Sequence, residues 1–205
     1  MLVDVVNQLN AAGMQLRMHI GFLLSIMAIA WVVQFANAAV GYRLCVFGIV
    51  PRTVLGLFGI LFSPWLHGSF NHIFMNSLFF LTMGSMLIIQ GKQMFVVVSI
   101  ALVLLSGLLV WLFANRASHV GASSVIMGYW SFLMARAYYH PDLIDLIAAG
   151  AGLYYCGVHL TASLLDDKKG VSMAGHAFGF ISGIIIAAYY RQVEFLVLTY
   201  ILPLL

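Results

Sequence analysis

Long apolar stretches separated by short polar breaks constrain this chain more than any other feature of its sequence. Stretches of about 17 to 22 residues, the length that crosses a hydrocarbon core, can be placed six times. With 63% hydrophobic and only 7% charged residues, the chain has too much continuous apolar sequence for a soluble core. The sequence therefore predicts an all-α membrane protein with a bundle of six transmembrane helices. The predicted spans are Ile20–Val40, Ser69–Gln90, Met94–Ala114, Ser123–Tyr139, Leu143–Thr161 and Val171–Tyr190.

The breaks between these stretches hold turn-forming or charged residues, and only the first break is long. That first loop, residues 41–66, contains glycine-spaced apolar runs too short to span, so it is expected to dip into the membrane beside the bundle. The chain divides into residues 1–19, an N-terminal segment without a removable signal peptide, residues 20–191, the six-helix domain, and residues 192–205, a short apolar tail. The tail is expected to lie at the interface or to pack on the bundle.

The few charged residues exclude one class of partner and leave the orientation open. A formal net charge of +3, with no basic run and no basic-aromatic interleaving, indicates that nucleic acid is not a partner. Cys45 and Cys156 indicate neither a disulfide nor a metal site. With the N-terminus inside, four loop cations on that side oppose five on the other, so the positive-inside rule does not decide. The four are Arg17, Lys92, Arg136 and Arg191, and the five are Arg43, Arg52, Arg116, Lys168 and Lys169.

A turn of small residues, 121–124, runs straight into the fourth apolar stretch and places Ser123 at a predicted helix start. The free backbone N–H groups of a helix start favour developing negative charge, which suits a nucleophilic serine. A purely structural interpretation is also open, and for this stretch taken alone it is the usual one. In it, Ser123 is an N-cap and Ser124 is a small packing residue.

The second apolar stretch opens with polar side chains that share a helix face. His72 and Asn76 are four residues apart and therefore lie one turn above the other, whereas His67 lies off that face and before the helix. Polar groups at that depth are costly and generally face the protein interior. The pair is compatible with a functional site and also with a hydrogen-bonded pair that joins two helices.

The sixth apolar stretch places a histidine beside a stripe of small residues. Gly175, Gly179 and Gly183 are spaced by four, which lets another helix approach closely. His176 lies next to that stripe. Taken alone, it is also compatible with a hydrogen-bonded core histidine.

Under the six-helix topology these polar residues come near the same end of their spans, which favours one site over several unrelated features. A nucleophilic serine needs a neutral base within hydrogen-bond reach, and His176 can be that base for Ser123. The tetrahedral intermediate needs donors aimed at its oxyanion, which Asn76, His72 and the Ser123 backbone N–H can supply. No Asp or Glu lies within a span near that end, so the arrangement is a Ser–His dyad rather than a triad.

These residues resemble the motifs of the rhomboid intramembrane serine proteases. The match consists of His67-x4-His72-x3-Asn76 in the second stretch, Gly121-x-Ser123 at the start of the fourth, and Gly175-His176-x2-Gly179-x3-Gly183 in the sixth, in the family's order. It covers roughly residues 20–191. The chain departs from the family pattern in having Ser124 where glycine usually follows the nucleophile, Met127 where an aromatic residue is common, and no Trp-Arg pair in the first loop.

The resemblance implies a role for each of these residues. Ser123 would be the nucleophile, His176 the base, and His72 and Asn76 the oxyanion-hole donors, supported by the residues His67, Gly121, Gly175 and Gly179. The protein would be a multi-pass protein of the cell (inner or plasma) membrane with residues 1–19 cytoplasmic, and its active site would open to the extracytoplasmic side. As a monomer in the lipid bilayer, it would cleave single-span membrane proteins without a cofactor or metal. Residues 164–170 would form a lid.

Two other functions remain open from the sequence. A histidine-lined transporter or metal-binding membrane protein would use His67, His72, His119 and His176, although no carboxylate or thiolate accompanies these histidines as metal sites normally require. A non-catalytic rhomboid-like binding protein is the second alternative. Such proteins usually lack the serine or the histidine, and this chain has both.

Overall fold

The computed structural model describes residues 2–139, 141, 143, 145–154 and 173–204, and nearly every regular element in this part of the chain is helical. The prediction of an all-α protein is therefore confirmed for the described residues, in which the β pairing is limited to one isolated bridge between Ile49 and His119. In chain order the helices are α1 (Leu2–Ala39), α2 (Val54–Phe62), α3 (Phe70–Ile88), α4 (Lys92–Phe113), α5 (Ser123–Tyr139), α6 (residues 145–154), α7 (Met173–Ala188) and α8 (Tyr190–Leu196).

The helices α3, α4 and α5 follow the apolar stretches closely, and α5 has the bounds that the sequence predicts. The first helix differs, because α1 begins at Leu2 and runs unbroken through the predicted N-terminal segment. Its residues before position 20 include no proline, and a helix propagates until a breaker or cap ends it. Apolar content therefore marked where a span could begin, but not where the helix begins.

Six spans are not confirmed. Among the described helices, α1, α3 and α4 are long and apolar enough to cross a membrane. A fourth is possible if α7 and the segment Tyr190–Leu204, which are bent by 94° relative to each other, count as one span. The helix α5 has only 17 residues. Much of the predicted fifth span lies outside the described residues, as do the predicted lid at residues 164–170 and Cys156.

The first loop folds into short helices that pack against the bundle. Between the 3₁₀ turns Arg43–Phe47 and Ser63–Trp65 lies α2, whose first turn is capped by the Thr53 hydroxyl accepting from the Gly56 N–H. The helix packs on α4, where Ile60 lies so close to Gly107 that a side chain there would overlap it. The nine residues of α2 are too few to span, in agreement with the prediction for this loop.

The helices α5 and α7 are packed in parallel at nearly backbone contact. A Cβ on Gly179 would overlap the Ser124 carbonyl, and one on Gly183 would overlap the Gly128 carbonyl. Each step of four residues along α7 thus matches a step of four along α5, which requires parallel helices in a constant register. The glycine stripe therefore does what its spacing predicts.

The core lies between α3, α4, α5 and α7, with the C-terminal tail closing one end. Its largest fully buried side chains include Tyr129, Phe95 and Phe132. In the tail, Val197 is buried and belongs to the same cluster. Of the two positions expected for the tail, the structure has the one packed on the bundle.

Candidate active site

The start of α5 is shaped by a glycine that no other residue would replace well. Gly121 has a φ of +109°, a backbone conformation that side chains disfavour. Its N–H donates to the Ser63 carbonyl at 2.9 Å, which ties the turn to the first loop. Ser123, two residues later, is the first residue of α5 and is half-buried. Its hydroxyl thus lies at a helix N-terminus whose backbone N–H groups have no partner within the helix.

One wall of this turn comes from α3. A Cβ on Gly121 would lie 2.7 Å from His72 Nε2 and 3.7 Å from Asn76 Nδ2, so both side chains face the turn. Asn76 is 7% exposed and its Nδ2 donates to the His72 carbonyl at 2.9 Å. Because an amide NH₂ carries two hydrogens, one N–H remains for another acceptor. The Ser69 hydroxyl caps α3 by accepting from the His72 N–H at 3.1 Å, which fixes the start of the helix.

The helix α7 approaches the start of α5. Gly179 lies against the Ser124 backbone, and His176 is three residues earlier on the same helix, one turn nearer its start. The parallel register places that turn of α7 beside the turn that precedes α5. His176 is only 3% exposed. The structure thus places the start of α7, which carries His176, at the same end of the bundle as the starts of α3 and α5.

His67 contributes to this arrangement through its contact with His72. Its ring packs edge-on against the His72 ring, with centroids 5.1 Å apart. The ring is 1% exposed, and neither nitrogen has a hydrogen-bond partner among the described residues. Desolvation on burial, and then the nearby His72, lower the pKa of His67 from its usual 6.5 to about 3, against a smaller opposing effect of the Trp65 backbone. His67 is therefore neutral at physiological pH.

Three polar residues that hold the site were missed by sequence reasoning. The buried Asn37 amide donates to the His67 carbonyl at 3.1 Å, and its side-chain oxygen accepts from the Leu44 N–H. Ser63 supplies the carbonyl that holds Gly121, and Ser69 is the cap of α3. Ser69 alone carried a local signal, because serine just before an apolar helix is typical of an N-cap. Asn37 and Ser63 act across long sequence separations, for which a single sequence gives no signal.

The remaining predicted features are placed as follows. Met127 is buried in the core on the first turns of α5, and Gly175 is buried on α7. His119 lies on the connection before α5, where its Nε2 is 2.9 Å from the Asn115 carbonyl oxygen. Within the described residues, no group of three or more His, Cys, Asp or Glu side chains could hold a metal ion.

The arrangement is chemically suited to nucleophilic acyl transfer. A serine hydroxyl lies at the helix start that follows the Gly121 turn, and a side-chain amide with an available N–H faces that turn. A buried imidazole lies at the same end of the bundle. Such a set can provide a nucleophile, a base and donors for an oxyanion.

Comparison with known proteins finds a matching family model and several similar proteins. Residues 54–193 match the family model described as Rhomboid domain. Uncharacterized proteins of Mycobacterium tuberculosis and Mycobacterium bovis are each 32% identical over 175 residues, which is 82% of this chain and 72% of the relative. An uncharacterized protein of Mycobacterium leprae is 30% identical over 174 residues, covering 82% of this chain and 69% of the relative.

Proposed function

The chain belongs to the rhomboid family and is a membrane protein, and we propose that it is an intramembrane serine endopeptidase that uses a Ser123–His176 dyad. The observation that carries the proposal is the convergence of α3 and α7 on the start of α5. His72 and Asn76 of α3 face the Gly121 turn, and Gly179 of α7, one turn beyond His176, lies against the Ser124 backbone. Separate structural roles for these residues would not require both helices to approach the start of α5.

In the proposed mechanism, the Ser123 Oγ attacks the carbonyl carbon of a substrate peptide bond while His176 accepts its proton. The tetrahedral oxyanion receives hydrogen bonds from the second Asn76 N–H, from His72 and from the Ser123 backbone N–H, at a helix start that favours negative charge. The peptide C–N bond breaks as His176 returns the proton to the leaving amine, which leaves an acyl-enzyme. Water, deprotonated by His176, then hydrolyses the ester and restores Ser123.

The proposed substrates are single-span membrane proteins, cleaved near the extracytoplasmic face of the cell membrane. Since α5 has only 17 residues and begins at Ser123, the nucleophile would lie below the membrane surface if α5 stands upright in the bilayer. A peptide bond at that depth becomes accessible only if the substrate helix unwinds locally. We propose that the enzyme is multi-pass and acts as a monomer, with no metal or cofactor in the reaction.

The test is cleavage of a generic single-span substrate in proteoliposomes. Ser123→Ala and His176→Ala should each abolish cleavage, and the double variant should be no worse than either, because residues that act as a unit are not additive. Ser124→Ala is the matched control, since it removes a neighbouring hydroxyl and should retain most activity. Clearly additive losses, or equal activity of Ser123→Ala and Ser124→Ala, would refute the dyad.

A covalent probe tests the same assignment without a protein substrate. A fluorophosphonate should label Ser123, and the label should vanish in His176→Ala because an unactivated serine is a poor nucleophile at neutral pH. A chelator should change neither labelling nor cleavage. Loss of proteolysis on chelation, with recovery on adding zinc, would overturn the proposal.

A further inference from the structure

A cavity of about 300 Å³ lies beside the candidate site, between α1, α3, α4 and the first turns of α5. Its volume is at the lower end of the range typical for small-molecule pockets. The apolar walls include Ile26, Met27 and Ala30 on α1 and Ile100, Val103 and Leu104 on α4. At the end nearest the site, the cavity touches Asn76 and Ala122. A molecule in the cavity would therefore lie next to Asn76, the proposed oxyanion donor.

Most polar groups in the cavity wall already bond to protein. The Ser77 hydroxyl donates to the Ile73 carbonyl at 2.8 Å and accepts from the Trp31 indole at 3.0 Å. Ser99 shares a 2.7 Å hydrogen bond with Tyr129. At ~30 Å³ per molecule, water would have to fill this volume with roughly ten molecules, each needing two to four polar partners. The cavity wall has too few free polar groups to supply these hydrogen-bond partners, since His67 is the one buried imidazole among its described residues.

The cavity also adjoins apolar surface that faces outward. Leu61 of α2 lines the cavity and is 52% exposed, and Ile29, beside Ala30 on α1, is exposed as well. The helices α1 and α4 are both long and apolar enough to cross a membrane, so Val103 and Leu104, near the midpoint of α4, belong at hydrocarbon depth. Lipid acyl chains are the molecules present there at high concentration.

We propose that this cavity binds an acyl chain of a membrane lipid between α1 and α4. An acyl chain needs no hydrogen bonds and makes van der Waals contacts with the apolar wall. It also fills space that would otherwise be an unfavourable void in the packed bundle. The site would be independent of proteolysis, because it is defined by a cavity that contains neither Ser123 nor His176.

The test uses a phospholipid with a diazirine in one acyl chain, incorporated at low mole fraction into lipid-detergent micelles with the full chain. After photolysis, mass spectrometry should find the label on Val103 and Leu104. Ala30→Phe would fill the cavity and should reduce this labelling about ten-fold. Ala28→Phe is the matched control, because it places the same ring on an exposed position of the same helix and should leave the labelling unchanged.

The milder variant Ala30→Leu should reduce the labelling in part and covers the case in which Ala30→Phe fails to fold, as judged by thermal unfolding. Labelling should be the same in Ser123→Ala, so that a failed protease assay does not bear on the lipid site. Equal labelling in all variants would indicate only surrounding lipid and overturn the proposal. Labelling of Val103 and Leu104 by a photoactivatable substrate helix but not by the lipid would overturn it in favour of substrate.

Discussion

At the scale of single residues, substitution of Asn76 is expected to have the clearest effect on the cleavage kinetics. Its side chain faces Gly121, and one N–H is already used by the His72 carbonyl. Removing one oxyanion donor typically lowers kcat about 10²- to 10³-fold. We expect Asn76→Ala to lose activity in that range with little change in KM, while Asn71→Ala, an exposed amide on the same helix, remains active. A loss confined to KM would make Asn76 a substrate contact.

His67 predicts how stability depends on pH. Its pKa is about 3 in the folded protein and near 6.5 when exposed, so between these values the unfolded state binds more protons. Stability therefore falls as pH decreases through this window, by at most about 1.4 kcal/mol per pH unit for one group. Thermal unfolding measured from pH 7 to pH 5 should show a smaller decrease for His67→Gln than for the unchanged protein. Parallel curves would show that His67 is protonated in the folded state.

At the scale of elements, the contact between α5 and α7 leaves little room for substitution. Gly179 and Gly183 leave no room for a side chain against the α5 backbone. Overpacking of this kind costs on the order of 1 to 3 kcal/mol and also displaces nearby groups. We expect Gly179→Leu to lower the cleavage rate more steeply than the melting temperature, because the shift of α7 also moves His176.

The control for this contact is Gly21→Leu. Gly21 lies on α1, and a Cβ added to it would meet no other atom within 4 Å, so added bulk there should be tolerated. Cleavage by Gly179→Leu at the rate of Gly21→Leu would contradict the packing described for α7.

At the scale of the whole molecule, a network of polar side chains around the buried Asp145 lies at the end of the bundle opposite the candidate site. Asp145 is fully buried, its Oδ2 lies 2.8 Å from Arg136 Nε, and its Oδ1 accepts from the Gln90 amide at 2.8 Å. These residues follow α3, end α5 and begin α6, so they join three helices. Arg136 is 26% exposed and can regain water if its partner is lost.

This difference in burial predicts unequal effects of two substitutions. Arg136→Gln leaves a buried carboxylate without its cation and should cost up to about 3 to 5 kcal/mol, whereas Asp145→Asn leaves a partly solvated cation and should cost less. Thermal or denaturant unfolding in matched micelles would compare the two. Greater destabilisation by Asp145→Asn would show that the arginine, rather than the aspartate, is the poorly solvated partner.

The sequence by itself determined the helical class, the bounds of α5, the approximate bounds of α3 and α4, and the close approach made by the glycine stripe. These features depend on local periodicity, breaks and small-residue spacing, which act within a few turns of one helix. The types of residue at the candidate site were also readable, because polar side chains in apolar stretches are few.

Only the tertiary structure decided which distant residues meet. The contact of Gly121 with α3, the hydrogen bond from Asn37 to His67 and the packing of α2 on α4 join segments far apart in sequence. The 94° bend after α7 reorients two consecutive segments. Within the described part of the chain, three or four helices are long enough to span, since apolar content shows that a helix can lie in a membrane but not that it crosses. Such contacts depend on packing and on backbone hydrogen bonds between elements, which a single sequence does not encode in any local pattern.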